Sequence, residues 1–318
     1  MRHGVEGRLS VVVIGGSGSV GRHVCAAFQA EGYRVTAVAR RPVGLPAGVR
    51  GVGLDVADAD PVELRALLEE SGAEVIVNAA GGWVATPEEN RRVHVLLVER
   101  LLEAAARATT GPRFVQIGSI HEYGQVGGGV RIGEDEPPRP STDYARTKLA
   151  GSEAVLEATR AGRLEGVVLR AVNVCGPGTC RVGFLGSLTR RLRAARPGEP
   201  LPVAIADARR DYVDVRDLAR AVLRAARADA VGRVFNIGRG EAVSVRELVG
   251  LLLSAAGLPA TAIREEGGGA SARGGAWTLA DIRSARELLG WEPAIGLARS
   301  LEDQWEASPD YRSRGKHG

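Results

Sequence analysis

Tyr144 and Lys148 stand four residues apart in a stretch of helical pattern, a spacing that puts both side chains on one face. Only two of the 42 Lys+Arg residues are lysines, Lys148 and Lys316, so Lys148 marks a place where arginine does not serve. An ammonium is a compact point charge on a flexible stem, which a planar guanidinium cannot imitate. Beside a phenol it favours phenolate, so the pair is expected to lower the tyrosine pKa toward the range where it exchanges protons near neutrality. Taken alone, the spacing also fits an exposed helix pair.

The elements that would position this pair alternate. Val11-Val12-Val13-Ile14 is a β-branched run of the kind buried on both faces of a parallel sheet. Further strands are expected over Arg34 to Ala39, Val52 to Leu54, Val75 to Asn78, Phe114 to Gly118 and Val167 to Leu169. Helical patterns lie between them, near Val20 to Glu31, Pro61 to Ser71, Glu88 to Ala108 and Asp143 to Ala161. This order predicts an α/β fold, a doubly wound Rossmann-type parallel sheet, with a smaller, discontinuous C-terminal substrate-binding region. The dinucleotide-binding domain is expected over about 8–171, with returning segments at about 211–238 that include a helix from Val215 and a strand at Val234 to Ile237. The substrate-binding region would take about 172–210 and 239–306, with a frayed tail at 307–318. The run Gly267 to Gly275 has the composition of a mobile loop.

Gly15, Gly18 and Gly21 form a G-x-x-G-x-x-G between the first strand and first helix, with Ser17, Ser19 and Val20 inside the turn. Such a turn lets the backbone approach a pyrophosphate, which then meets helix N-terminal amides. The second strand ends in Ala39-Arg40-Arg41, where an NAD-selective site would place an acid on the ribose hydroxyls. Arginines there suit a 2′-phosphate and favour NADP(H), although this Arg-rich chain also delivers surface arginines by chance. Asp55 and Val56 are placed to cap the adenine edge, and Ala79, Ala80 and Gly81, after Asn78, to line the nicotinamide ribose.

Composition narrows the class. With 318 residues, 44% hydrophobic and 25% charged, and no run of 18 apolar residues, the chain reads as globular and not membrane-spanning. A net charge of +4 over this length is no nucleic-acid footprint. Cys25, Cys175 and Cys180 are odd in number and lack metal-ligand spacing, as expected of reduced thiols in a cytoplasmic protein without a metal site. No signal-peptide pattern precedes the first strand.

Several motifs in order resemble the extended short-chain dehydrogenase/reductases, the NAD-dependent epimerase/dehydratase group acting on nucleotide sugars. They are the glycine run, Ser119-Ile120-His121-Glu122-Tyr123-Gly124, the Tyr144/Lys148 pair, Leu169 to Gly178, Arg210 to Asp217, Phe235-Asn236-Ile237-Gly238 and Leu289-Gly290-Trp291-Glu292-Pro293. The resemblance implies a triad of Ser119, Tyr144 and Lys148. Tyr144 would pass a proton to or from the sugar oxygen, Ser119 hydrogen-bond that oxygen, and Lys148 lower the phenol pKa while holding the nicotinamide ribose. It extends the cofactor surface to Ala171 and Val174. It also assigns Asn173 and Arg210 to the substrate diphosphate, with Arg181 and Arg273 as weaker candidates for the same anion, and Trp83 to the substrate. Asn173 and Arg210 have structural alternatives, a loop-fixing amide and an arginine-carboxylate pair. Family members often dimerise through helices such as Glu88 to Ala108 and Asp143 to Ala161, which makes a homodimer the expectation.

Three departures from the family pattern bear on the reaction. Dehydratases carry an Asp-Glu pair where this chain has Ile120 and His121, and an odd shift in a strand-like stretch should turn Glu122 to the other face. Epimerases that retain NAD commonly hold it through the acid that Arg40 and Arg41 replace. His94 stands where an asparagine usually orders the proton relay. His121 titrates near neutrality as an unperturbed histidine and could act as an acid or base, or only orient the sugar. By resemblance, then, the chain is expected to be an NADPH-dependent ketoreductase acting at C4 of a dTDP-linked 4-keto-6-deoxyhexose in deoxysugar biosynthesis. An epimerase with tightly held NAD and a non-catalytic dinucleotide-binding regulator are the alternatives.

Overall fold

The computed structural model describes residues 9–179, 183–196, 198–266 and 275–308. In chain order the elements are β1 (Ser10–Ile14), α1 (Gly21–Ala30), β2 (Arg34–Ala39), β3 (Arg50–Gly53), α2 (Pro61–Glu70), β4 (Val75–Asn78), α3 (Pro87–Arg91), α4 (Leu97–Ala106), β5 (Arg113–Ser119), α5 (Asp143–Arg160), β6 (Glu165–Ala171) and β7 (Asn173–Cys175). There follow α6 (Phe184–Ala194), β8 (Leu201–Ala204), β9 (Arg209–Asp214), α7 (Val215–Arg227), β10 (Val234–Ile237), β11 (Ala242–Ser244), α8 (Val245–Ala255), β12 (Ile263–Glu266), β13 (Trp277–Thr278), α9 (Arg283–Leu289) and α10 (Leu297–Glu306).

Seven parallel strands form the central sheet in the order β10-β6-β5-β4-β1-β2-β3. The chain winds outward through β2 and β3, then returns to the other side of β1 with β4. The carboxyl ends of β1 and β4 therefore flank the crevice where a doubly wound sheet takes its ligand. The valines of β1 are fully buried because helices cover both faces, and two apolar clusters fill the two layers. The expected α/β class and parallel order are found.

Three local features differ from expectation. The helix expected over Glu88 to Ala108 is α3 and α4 joined by a π-helical stretch, Arg92–Leu96. Ile120–Tyr123, expected to be strand-like, is a 3₁₀ turn, because Ser119 and Glu122 form a reciprocal cap at its start. Of the segment expected to return to the main sheet, α7 packs on it and β10 joins it beside β6, whereas β9 pairs with β7, β11 and β13 in a second, smaller sheet.

That second sheet and its helices have their own core, built from leucines of α6, α8 and α10. Asp211, Asp214 and Asp217 fasten it to the rest. Asp211 is fully buried and accepts the backbone N–H groups of Arg239, Gly240 and Ala280. Asp214 caps α7 and holds Ser300, and Asp217 accepts the N–H groups of Ala294 and Ile295. Among the described residues, no helix is long and apolar enough to cross a membrane.

Candidate active site

The glycine-rich turn lies at the carboxyl end of β1. Gly15 has φ +75°, and a side-chain carbon on Gly21 would come within 2.1 Å of the Gly15 carbonyl oxygen, so the turn is closed backbone on backbone. α1 then starts without a side-chain cap and without an acid in its first turn. A tight glycine turn leading into an uncapped, unneutralised helix start fits a pyrophosphate. Arg22, unassigned by the sequence reading, wraps this turn by donating to the carbonyls of Ser17 and Gly18. Ser17 Oγ donates to the Arg41 carbonyl at 3.0 Å, which sets Arg40 and Arg41 at the rim. Both arginines are exposed, and neither pairs with an acid among the described residues. The expected adenine cap is otherwise engaged: Asp55 binds Arg92 at 2.8 Å and accepts the Ala57 N–H, while Val56 is buried.

Ala79 and Ala80 close the opposite wall at the end of β4. Ala79 N–H donates to the Ile14 carbonyl, and Asn78 is fixed between Gln116 and the Ala80 N–H. Ala171 is buried at the end of β6 and Val174 is half-buried on β7. Gly81 has φ +93° and sits directly on His94, where a side-chain carbon would meet the imidazole at 2.5 Å.

The three triad candidates converge. Thr142 caps α5 by accepting the Ala145 N–H, which fixes the turn carrying Tyr144. Ser119, the last residue of β5, stands close enough to the Tyr144 phenol to favour its ionised form. Lys148, 3% exposed, reaches under the strand and donates to the Ile117 carbonyl at 2.6 Å. That bond uses one of three ammonium donors, so the buried amine can also take ribose hydroxyls.

Behind the triad lies a charge pair that the sequence did not disclose. Glu122 is fully buried and accepts hydrogen bonds from Ser119 N–H at 2.8 Å, Ser152 Oγ at 3.0 Å and Arg170 Nε at 2.7 Å. The Arg170 guanidinium lies 4.4 Å from the Tyr123 ring centre, and Tyr123 donates to Asn236 at 2.9 Å. The one available signal was Arg170 itself, an arginine ending an apolar strand and therefore in need of a buried acid.

Protonation states depart from expectation. Burial drives the Tyr144 phenol up to about 12, opposed by the Ser119 hydrogen bond and reinforced by the Glu122 charge. The expected lowering by Lys148 is not found, because the amine is itself desolvated and pushed down to about 8, with Glu122 opposing that shift. Nor does His121 titrate near neutrality: burial, then the charge of Arg210, takes it down to about 4. His94 falls to about 4 for the same first reason, with Lys148 adding to the shift and the backbone of Gly81 and Gly82 opposing it. Its Nδ1 meets Thr147 Oγ1 at 2.9 Å, while the buried Nε2 has no well-aligned partner among the described residues.

The substrate-side candidates divide. Trp83 lies over Tyr144, ring centres 4.0 Å apart and planes within 13°, and His121 meets both rings edge-on. Arg210 is close enough to bias His121, and it donates to the Gly275 carbonyl. Asn173 donates to the Asp211 carbonyl, a loop-fixing contact. Arg181 and Arg273 lie outside the described residues.

With this geometry, similarity to known proteins can be weighed. Residues 11–238 match the NAD dependent epimerase/dehydratase family. The chain belongs to that family. It is 39% identical to dTDP-6-deoxy-L-talose 4-dehydrogenase (NAD(P)(+)) from Kitasatospora kifunensis, over 93% of this chain and 95% of that protein. It is 29% identical to UDP-glucose 4-epimerase from Corynebacterium glutamicum, again over 93% and 95%. Among solved structures, MoeE5 in complex with UDP-glucuronic acid and NAD superposes with a TM-score of 0.80 at 31% identity, covering 94% of this chain and 98% of that one. Nucleotide-sugar modification is thus the common activity class of the relatives.

The buried histidines give a stability prediction. A histidine held near 4 in the fold but near 6.5 when unfolded stabilises the fold above pH 6.5, and that contribution is lost as pH falls through 4. Urea unfolding from pH 7 to pH 4 should therefore show falling stability, and His94→Asn should lessen the fall. An identical slope in the variant would mean that this ring is not desolvated.

Proposed function

We propose that the protein is an NADPH-dependent 4-ketoreductase that delivers hydride to C4 of a dTDP-linked 4-keto-6-deoxyhexose. The observation that carries the reading is the convergence of Ser119, Tyr144 and the buried Lys148, in a chain 39% identical to a dTDP-6-deoxy-L-talose 4-dehydrogenase. A 4-dehydrogenase and a 4-ketoreductase run one hydride transfer in opposite directions.

The reduced nicotinamide, when bound, supplies the hydride. Tyr144 and Ser119 bind the C4 oxygen. Held up to about 12, the phenol is protonated at neutrality and serves as the acid that reduction requires. The buried Lys148 amine holds the nicotinamide ribose. His121, uncharged at neutrality, orients the sugar as a hydrogen-bonding group and is no imidazolium donor. Arg210 is the candidate for the diphosphate, Asn173 being held on the Asp211 carbonyl. Arg40 and Arg41, exposed beside the glycine turn, support a 2′-phosphate and hence NADP(H).

The second reading, an epimerase with retained NAD, draws on the UDP-glucose 4-epimerase relatives and on the NAD held by MoeE5. Protein that keeps NAD through dialysis and interconverts two sugars without added cofactor would establish it in place of the reductase.

NADPH absorbance at 340 nm should fall when a dTDP-4-keto-6-deoxysugar is added, and Tyr144→Phe should lose about 10²- to 10⁴-fold in turnover while keeping cofactor affinity. No consumption across a panel of such sugars would refute the substrate, and a fully active phenylalanine variant would refute the acid. In the same assay, Arg40→Ala with Arg41→Ala should raise KM for NADPH about tenfold or more and leave that for NADH little changed. Equal effects on both cofactors would contradict the 2′-phosphate assignment.

A further inference from the structure

We propose that Trp83 is the specificity-determining wall of the sugar pocket, set to contact the edge of the sugar that carries the 6-methyl group. The proposal rests on the nucleotide-sugar reading above and adds to it the residue that distinguishes a 6-deoxy sugar from its hydroxylated counterpart.

Trp83 is 49% exposed, so it is not there to fill a core. It stacks face to face on Tyr144, at 4.0 Å and 13°, and meets His121 edge-on. Aromatic pairs are weakly held and favour offset or edge-on arrangements, so a ligand can take the place of this one. The backbone allows adjustment: residues 79 to 84 are neither helix nor strand, and Gly82 has no atom within 4 Å of where its side-chain carbon would be. The segment leaves the carboxyl end of β4, at the crevice, and brings the indole against the Tyr144 ring.

Once the C4 oxygen is on Tyr144 and Ser119, the sugar carbons flanking C4 are C3, which carries a hydroxyl, and C5, which carries C6. An indole face offers no acceptor or donor for a hydroxyl pressed against it, and a hydroxyl dehydrated there loses its hydrogen bonds. A methyl group on the same face gains from leaving water. The C5–C6 edge therefore belongs against Trp83, and the hydroxylated edge toward His121, whose ring can hydrogen-bond it. A 6-hydroxyl would set a polar oxygen against the indole.

The test compares initial rates of NAD(P)⁺-dependent oxidation of a dTDP-6-deoxyhexose and of the dTDP-hexose of matching stereochemistry, for the wild type, Trp83→Ala and Trp83→Gln. The wild type should favour the 6-deoxy sugar in kcat/KM by about tenfold or more. In Trp83→Ala the two sugars should come within about twofold of each other, and Trp83→Gln, which offers a hydrogen-bonding amide, should shift the ratio further toward the hydroxylated sugar. A wild-type preference retained in either variant would overturn the role of Trp83 and leave the reductase reading intact. Turnover of neither sugar by the wild type would overturn the reductase reading and this proposal together.

Discussion

Glu122 is a carboxylate with no access to water, and the geometry of the site depends on how it is satisfied. Burying an unpaired charge is so costly that the fold must bring Arg170, Ser152 and the Ser119 amide to it at once. Arg170 is carried by β6, Ser152 by α5 and Ser119 by the end of β5, so one acid ties β6 to the two elements, β5 and α5, that hold the triad candidates. The parallel register sets Gly118 beside Arg170 and Ser119 beside Ala171, and so brings the guanidinium under the turn. Because Glu122 accepts the Ser119 N–H, the chain leaves β5 as a 3₁₀ turn, and the serine hydroxyl comes to the Tyr144 phenol.

The same burial sets the charge states. A desolvated phenol keeps its proton, a desolvated amine holds its own less tightly, and two desolvated imidazoles stay neutral. The negative charge of Glu122 favours the protonated forms of both Tyr144 and Lys148. The site thus presents a protonated phenol and a buried amine beside the end of β5. Trp83 is half-exposed and Gly82 has open space around it, whereas Gly81 is held against His94.

Much of this was legible in the sequence, for identifiable reasons. The valine run of β1 and the closely spaced glycines are local signals with no competing explanation, and the Tyr144/Lys148 spacing needs only a helix to become one face. Glu122 was missed because its partner Arg170 lies 48 residues away and because an alternating strand was assumed where a capped turn forms. The tyrosine pKa was misjudged because one neighbour, Lys148, was weighed without the burial that only tertiary structure supplies. Asp55 looked available until the π-helical stretch delivered Arg92 to it. In the Arg210–Asp217 segment the motif was visible, but not that its three aspartates act as clamps for distant backbone.

The claim that a single buried acid organises the site is tested most directly by the unfolding free energy of Glu122→Gln, which preserves shape and removes charge. Loss of the pair should leave Arg170 buried without a counter-charge and lower the stability by about 3–5 kcal/mol relative to the wild type at neutral pH. A variant within about 1 kcal/mol of the wild type would mean that the ion pair contributes no more than a surface pair, and that something else holds Ser119 against Tyr144.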